Sequence, residues 1–327
     1  MPCSRVEWAG ITTSPSVCGA HRLWSRAMSG VWLSLALIAI TAVWGATFTV
    51  VKQAVTQYGV VSFLAIRFAV GTLGLLPWAV GRLDRQSITS GSLVGLALAA
   101  GYLFQTFGLR WTSATNSGLI TGLFVVFAPL WNRALFKVHT PAMVWGAIAL
   151  SFVGLLLLTG GGAEPLAWGD VLTLGAAAAF ALQIVLLGRF GKEHDTFALA
   201  GVQVAVAAVV FFLAWPWVDP CVLPPPSVWP AILLTGIVAT ALGFAVQTFA
   251  QKRIPPTRAA VIFALESVFV LVFGYVFAGD RLSAFQLLGA AVMMAAVGLS
   301  ETAGLLNLPR SPGQTQSTGA EPADTPR

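Results

Sequence analysis

Apolar residues in this chain do not alternate with polar ones. They run in blocks of about twenty, parted by short connectors where Lys, Arg, Gly, Pro and Asp collect. A helix of about that length crosses the roughly 30 Å hydrocarbon core of a bilayer. Ten such blocks occur, at 30–51, 60–80, 91–109, 115–135, 141–160, 171–188, 196–217, 228–249, 259–278 and 283–303. Runs such as Leu155–Leu158 and Val204–Val210 lack the alternation of barrel strands. The pattern predicts an all-α membrane protein of ten transmembrane helices.

Composition agrees with lipid as the solvent. Of 327 residues, 57% are hydrophobic and only 9% charged, with a mean hydropathy of +0.83. A soluble domain carries roughly 25% charged residues to cover its surface. The net charge of +6 could point to nucleic acid or to anionic lipid. The positives sit in short loops between apolar blocks, so lipid is the partner expected and nucleic acid is not.

Those positives also predict orientation. With the N-terminus inside, the inner segments hold Arg5, Arg22, Arg26, Arg82, Arg85, Arg133, Lys137, Arg189, Lys192, Lys252, Arg253, Arg258, Arg310 and Arg327. The outer ones hold Lys52, Arg110 and Arg281. Both termini are therefore expected in the cytoplasm. Residues 1–27 form a basic extension without the apolar centre of a signal peptide. Met28 stands directly before the first block and is a candidate start of translation. Residues 304–327, rich in Pro, Gly, Ser and Thr, are expected to be a disordered tail.

The chain repeats itself. Gly101-Tyr-Leu-Phe-Gln-Thr-Phe107 matches Gly243-Phe-Ala-Val-Gln-Thr-Phe249 at Gly, Gln, Thr and Phe. Each segment ends a block, passes a short connector and enters the next: third into fourth, then eighth into ninth. Five spans separate the copies, and an odd number reverses their sense across the membrane. The expected organisation is two inverted five-helix repeats, 28–160 and 168–303, with a substrate site between them near the midplane.

Motifs in the same order resemble those of the EamA-type permeases of the drug/metabolite transporter superfamily. Trp44-Gly45-Ala46-Thr47-Phe48 is similar to the family's Trp-Gly-x-x-Phe signature, and Arg67-Phe68 to its Arg-Phe pair. Leu265-Glu266-Ser267-Val268-Phe269 resembles Leu-Glu-Pro-Val-Phe, and Gly279-Asp280-Arg281-Leu282 with Gln286–Ala290 resembles the entry to the last span. The resemblance covers about residues 28–303. Ser267 stands where the motif has proline, which removes the expected cause of a kink beside Glu266. Asp280 stands where Glu is commoner. Phe136–Pro141, the matching connector of the first half, has no acid, so two symmetric acids are not expected. The resemblance implies a secondary-active exporter of amino acids, metabolites or drug-like compounds, working by alternating access and driven by proton exchange. An importer or exchanger of the same fold is the alternative, and a membrane-embedded enzyme a more remote one.

Polar residues inside the blocks are the candidate site. Glu266 lies about eight residues into the ninth block, roughly 12 Å deep at 1.5 Å per residue. A charged carboxylate there costs about 2.5–3.5 kcal/mol on insertion scales. It is expected to carry a proton, to contact a substrate amine, or to stay neutral and bond a neighbouring helix. Arg67, roughly 10 Å into the second block, is its expected ion-pair partner. Arg67 alternatively binds a substrate carboxylate or snorkels outward. Lys52 at the end of the first block is expected to snorkel, with a role beside Trp44 as the alternative. Gln105 and Gln247, at matching repeat positions, need partners across helices or on a ligand. Asn116, with Ser117 and Thr121, is a candidate vestibule residue, and Trp44 a candidate aromatic wall. Gly118-Leu-Ile-Thr-Gly122 has the small-xxx-small spacing of a helix crossing, expected within one chain.

Other classes fit less well. Only Glu266 and Arg67 are clearly intramembrane charges. His21, His139 and His194 fall outside the blocks, and Cys3, Cys18 and Cys221 match no metal or disulfide spacing. No enzyme activity, metal or cofactor is therefore expected. Gly160–Gly162 is not followed by Lys-Ser/Thr, so no ATP-binding loop is present. The expected partners are a small-molecule substrate and the bilayer of a bacterial inner membrane, with the protein a monomer or homodimer.

Overall fold

The computed structural model describes residues 15–158, 167–278 and 283–306, and every regular element among them is helical. The motif at Gly279–Leu282 and the tail beyond residue 306 lie outside the described residues. In chain order the helices are α1 (Pro15–Tyr58), α2 (Val60–Ala79), α3 (Arg85–Gly108), and α4 in two pieces (Ala114–Thr121 and Phe124–Phe136). Then come α5 (Ala142–Leu158), α6 (Trp168–Phe190) and α7 (Thr196–Val218). α8 runs as Trp229–Leu233, Leu234–Leu242 and Gly243–Gln251; α9 as Pro256–Phe263 and Leu265–Phe273; α10 spans Ala284–Leu306. Eight of these are long and apolar enough to cross a membrane, while Ala142–Leu158 and Ala284–Ser300 are shorter apolar helices.

Helix ends differ from the hydropathy pattern where polar chemistry sets them. α3 begins at Arg85, not 91, because Asp84 and Ser87 cap it reciprocally: Ser87 N–H donates to Asp84 Oδ1 at 2.6 Å, and Asp84 N–H to Ser87 Oγ at 3.1 Å. α1 starts at Pro15, so part of the expected extension is helical. It also runs on to Tyr58, which places Lys52 within the helix. The reversal into α2 uses Gly59 at φ +96°, a conformation that favours glycine. The first amides of α2 are satisfied from afar: Val61 and Ser62 N–H donate to Asp219 Oδ2 at 2.6 and 3.1 Å.

Two helices are interrupted at matching places. α4 breaks at Gly122-Leu123 and α9 at Ala264. The spacing that carries Gly101 onto Gly243 carries Gly122 onto Ala264. At both breaks amides reach back three residues rather than four: Gly122 N–H to Leu119 O (3.2 Å), and Ser267 N–H to Ala264 O (3.2 Å). No proline is needed, although Ser267 occupies the proline position of the motif.

Side chains pack into two large apolar clusters. One joins α1, α2, α3, α7 and α8; the other joins α1, α4, α5, α6, α9 and α10. Each draws helices from both sequence halves. Glycines bring the helices close. A Cβ on Gly154 of α5 would lie 2.9 Å from the carbonyl of Gly289 of α10, and one on Gly236 of α8 would lie 2.9 Å from that of Arg67 of α2. Gly118 and Gly122 of α4 face Val270 and Ser267 of α9, so that motif serves a crossing inside the chain. Trp44 and Phe180 touch both clusters, and the candidate site lies where they meet.

Candidate functional site

Between the clusters is a narrow cavity of about 60 Å³. Trp44, Arg67, Gln105, Gln247 and Glu266 all line it. Local backbone explains how they arrive there. The break at Ala264 starts a new helical segment just before Glu266. The π-helical stretch Leu234–Leu242 of α8 presents Ala239 and Thr240 to the site.

Trp44 forms part of an aromatic wall, with Phe244 and Phe263 at 5.6 and 5.5 Å between ring centroids. Its indole N–H donates to Ala239 O at 2.8 Å, so the polar edge is satisfied and the ring face is left to the cavity. Gly243 makes room, since a Cβ there would sit 3.0 Å from Trp44 Nε1. The repeat supplies the mirror arrangement: Gly101 faces Phe180, another lining ring, with a Cβ clash at 2.6 Å.

Arg67 is only 2% exposed. Its Nε donates to Thr240 Oγ1 at 3.1 Å and its Nη2 to Tyr102 Oη at 3.2 Å. The guanidinium lies 4.7 Å from the Tyr102 ring centre and 5.6 Å from that of Phe68. The expected Arg67–Glu266 ion pair is not formed; among the described residues the salt bridge is Arg189–Glu193, at 2.6 Å. The physical reason is position. Arg67 is held by partners of the first cluster, whereas Glu266 projects from α9 across the cavity. Outward snorkelling is excluded by the same bonds.

Glu266 is 7% exposed and has no hydrogen-bond or ion-pair partner among the described residues. An unpaired carboxyl facing a low-dielectric cavity is costly when charged, and a proton or a cation relieves that cost. Its neighbour Ser267 is occupied elsewhere, donating to Gly118 O at 2.9 Å.

The glutamines close one end of the cavity. Gln183 Nε2 donates to Gln203 Oε1 (2.9 Å) and Gln247 Oε1 (3.3 Å), and Gln247 Nε2 donates back to Gln183 Oε1 (3.2 Å). Gln203 Nε2 reaches Thr248 Oγ1 at 3.1 Å. All three amides are at most 2% exposed. Gln105 lies apart from them and donates to Thr121 Oγ1 at 3.1 Å. Sequence reasoning missed Gln183, Gln203, Tyr102 and Thr240. Gln183 and Gln203 were legible, as lone amides in apolar blocks. Tyr102 and Thr240 gave no signal beyond polarity.

Lys52 and Asn116 are not in this cavity. They line a separate polar basin with Arg110, Thr112 and Asp170. Lys52 Nζ donates to Thr112 O at 2.7 Å, so it is tied to the α3–α4 connector and does not reach freely outward. Asn116 gives its backbone N–H to Ser113 Oγ at 2.9 Å, the cap of α4. Cavity and basin are adjacent along two helices: Val51 and Leu109 line the first, Lys52 and Arg110 the second. His194 is buried and bonded to Ser90 Oγ at 3.0 Å, a structural contact between the α6–α7 connector and α3.

Known proteins resemble this chain. The EamA-like transporter family matches twice, over residues 31–160 and 167–302. An uncharacterized transporter of Archaeoglobus fulgidus is 31% identical over 268 residues, covering 81% of this chain and 83% of its own length. The threonine/homoserine exporter RhtA of Escherichia coli (strain K12) is 28% identical over 288 residues, covering 81% of this chain and 90% of its own. A solved crystal structure superposes with a TM-score of 0.69 at 17% identity, over 85% of this chain and 98% of that one, a likeness of fold. With both halves matched and buried polar groups gathered between apolar clusters, this chain is an integral membrane protein belonging to the EamA-like transporter family.

Proposed function

We propose that this transporter exports small zwitterionic solutes, amino acids among them, in exchange for protons. The observation that carries the reading is the unpaired Glu266 carboxyl facing one cavity with the Arg67 guanidinium. Two opposite charges held apart suit a solute that bears both: its ammonium at Glu266, its carboxylate at Arg67. The aromatic wall of Trp44, Phe180 and Phe244 encloses the apolar part. A relative that bears the name of an amino-acid exporter agrees.

The same carboxyl supplies the coupling. Glu266 takes a proton or the solute ammonium, not both, so loading one releases the other. The membrane frame is part of the proposal: ten spans, two inverted five-helix repeats, both termini cytoplasmic, in a bacterial inner membrane. Domain limits are 28–160 and 168–303. In that frame the glutamine cluster lies toward the cytoplasm and closes the cavity there, while Thr47, Val51 and Leu109 lead toward the outer basin of Lys52 and Asn116. The moving bodies are the two apolar clusters, not the two sequence halves, because each cluster joins helices of both halves. Since Gly118 and Gly122 are used within the chain, one chain is the transporting unit.

The test is growth of an export-deficient bacterial host on toxic concentrations of amino acids, their analogues and antimicrobial cations, with wild type, Glu266→Gln or empty vector. Wild type alone should confer resistance, and to zwitterions. Resistance to cations lacking a carboxylate would overturn the substrate class. Uptake-driven sensitivity in the wild type would reverse the direction. Unchanged resistance in Glu266→Gln would remove the coupling role.

A further inference from the structure

A second, larger hollow opens on the surface of the molecule between α1, α7 and α8, with a volume of about 770 Å³. Trp32 and Ala36 of α1, Phe197 of α7, and Ala245 and Phe249 of α8 line it, and one charged group, Arg253, stands at its end. Nothing in the transport reading uses it. The hollow is open at its rim, since Trp32 and Phe249 are 64% and 48% exposed. Small side chains, Ala36 and Ala245, leave the space that larger ones would fill.

Its length and charge point to an occupant. Leu242 and Arg253 both line it, and the helix between them rises roughly 16 Å. That is about half of a hydrocarbon core of roughly 30 Å, the depth of one leaflet. Two guanidinium groups lie over its rings: Arg253 at 5.3 Å from the Phe249 centroid, and Arg82 at 5.2 Å from that of Phe197. Both arginines sit at helix ends on the side proposed to face the cytoplasm. Two carboxylates on that side, Asp84 and Asp195, are spent on capping α3 and α7: Asp84 accepts from Ser87 N–H at 2.6 Å, and Asp195 from Phe197 and Ala198 N–H at 2.9 and 3.2 Å. An apolar slot one leaflet deep, with the Arg253 guanidinium at its end and that of Arg82 over its Phe197 wall, matches an acyl chain below a negative headgroup.

We infer that the α1–α7–α8 hollow is a binding site for an anionic phospholipid of the cytoplasmic leaflet, its chain between Ala36 and Ala245 and its phosphate at Arg253 and Arg82. A lipid wedged there contacts α1, which belongs to both apolar clusters, and so is placed to bias how they move.

The full chain, purified in detergent, would be titrated with phosphatidylglycerol or phosphatidylcholine of identical chains, and bound lipid counted by native mass spectrometry. Phosphatidylglycerol should bind in preference. Arg253→Gln should weaken it about fivefold, the effect of one surface cation, and Ala245→Phe should exclude both lipids. Arg189→Gln, an inner-side arginine away from the hollow, should keep the wild-type preference. Equal binding of the two lipids by the wild type would overturn the proposal, as would equal loss in Arg189→Gln and Arg253→Gln. If either hollow variant folds poorly, the wild-type competition decides the matter alone.

Discussion

α4 and α9 share a backbone and differ in chemistry. Each opens with a short helix, breaks after about two turns and resumes into the core. Small residues sit at equivalent places, Gly118 and Gly122 in α4 and Ala260 and Ala264 in α9. The spacing that aligns the breaks also aligns Phe124 with Glu266, and both side chains reach the same cavity. One helix offers it a ring and the other an unpaired acid. A similar divergence occurs between α2 and α7: the step from Trp44 to Phe180 also carries Arg67 onto Gln203. Positions that correspond in spacing thus meet at one cavity, and their different side chains give it a positive and a negative group.

The largest expected effect separates the two equivalent positions. Glu266→Gln should abolish solute flux and its dependence on the proton gradient, while Phe124→Leu should leave flux and coupling in place. Flux in proteoliposomes with and without a pH gradient reads both, and equal losses would mean that position 266 acts only by filling space. Next is the second pair. Arg67→Ala should weaken solute affinity about tenfold to a hundredfold, the worth of a hydrogen bond to a charged group. Gln203→Ala should leave affinity near wild type and cost about 1–3 kcal/mol of stability, because Gln183 and Thr248 lose a partner.

Stability then sharpens the comparison at the breaks. A Cβ at Gly122 would lie 2.5 Å from Ser267 Oγ, so Gly122→Val should push α4 from α9 and destabilise by about 1–3 kcal/mol. Gly298 of α10 has no atom near its would-be Cβ, and Gly298→Ala should stabilise by up to about 1 kcal/mol. Thermal unfolding in detergent distinguishes the two. The smallest effect lies outside the core. The hydrogen bonds from Ser87 hold the Asp84 carboxyl below its ordinary range. A depressed carboxylate contributes stability above its unfolded value and loses it as pH falls through the folded one. Protection of the amides at the start of α3, measured against their intrinsic exchange rates, should therefore fall in acid, and Asp84→Asn should flatten that response.

Much of this was legible without coordinates. Twenty-residue apolar blocks dictated the helices, because a backbone in lipid must satisfy its own hydrogen bonds. The spacing of the Gly-Gln-Thr-Phe match aligns the two helix breaks, and lone polar residues in apolar blocks marked Arg67, Gln105, Gln247 and Glu266 on the cavity. Depth along a helix is one-dimensional, however, and says nothing of the direction a side chain faces. Lys52 follows Val51 of the cavity in the chain, yet it and Asn116 line the separate polar basin. Arg67 and Glu266 share the cavity yet do not meet.

The sequence by itself determined the helices, their lipid surroundings and the few polar groups that must find partners, since each follows from composition along a single strand of chain. Tertiary structure alone decided that α2 packs on α7 and α5 on α10, each pair joining the two halves of the sequence. Helix partnership depends on which glycines face each other across space, as Gly154 and Gly289 do, and that contact has no signature in either neighbourhood taken separately. The same three-dimensional choice placed the guanidinium in one cluster and the carboxyl in the other, with the cavity between.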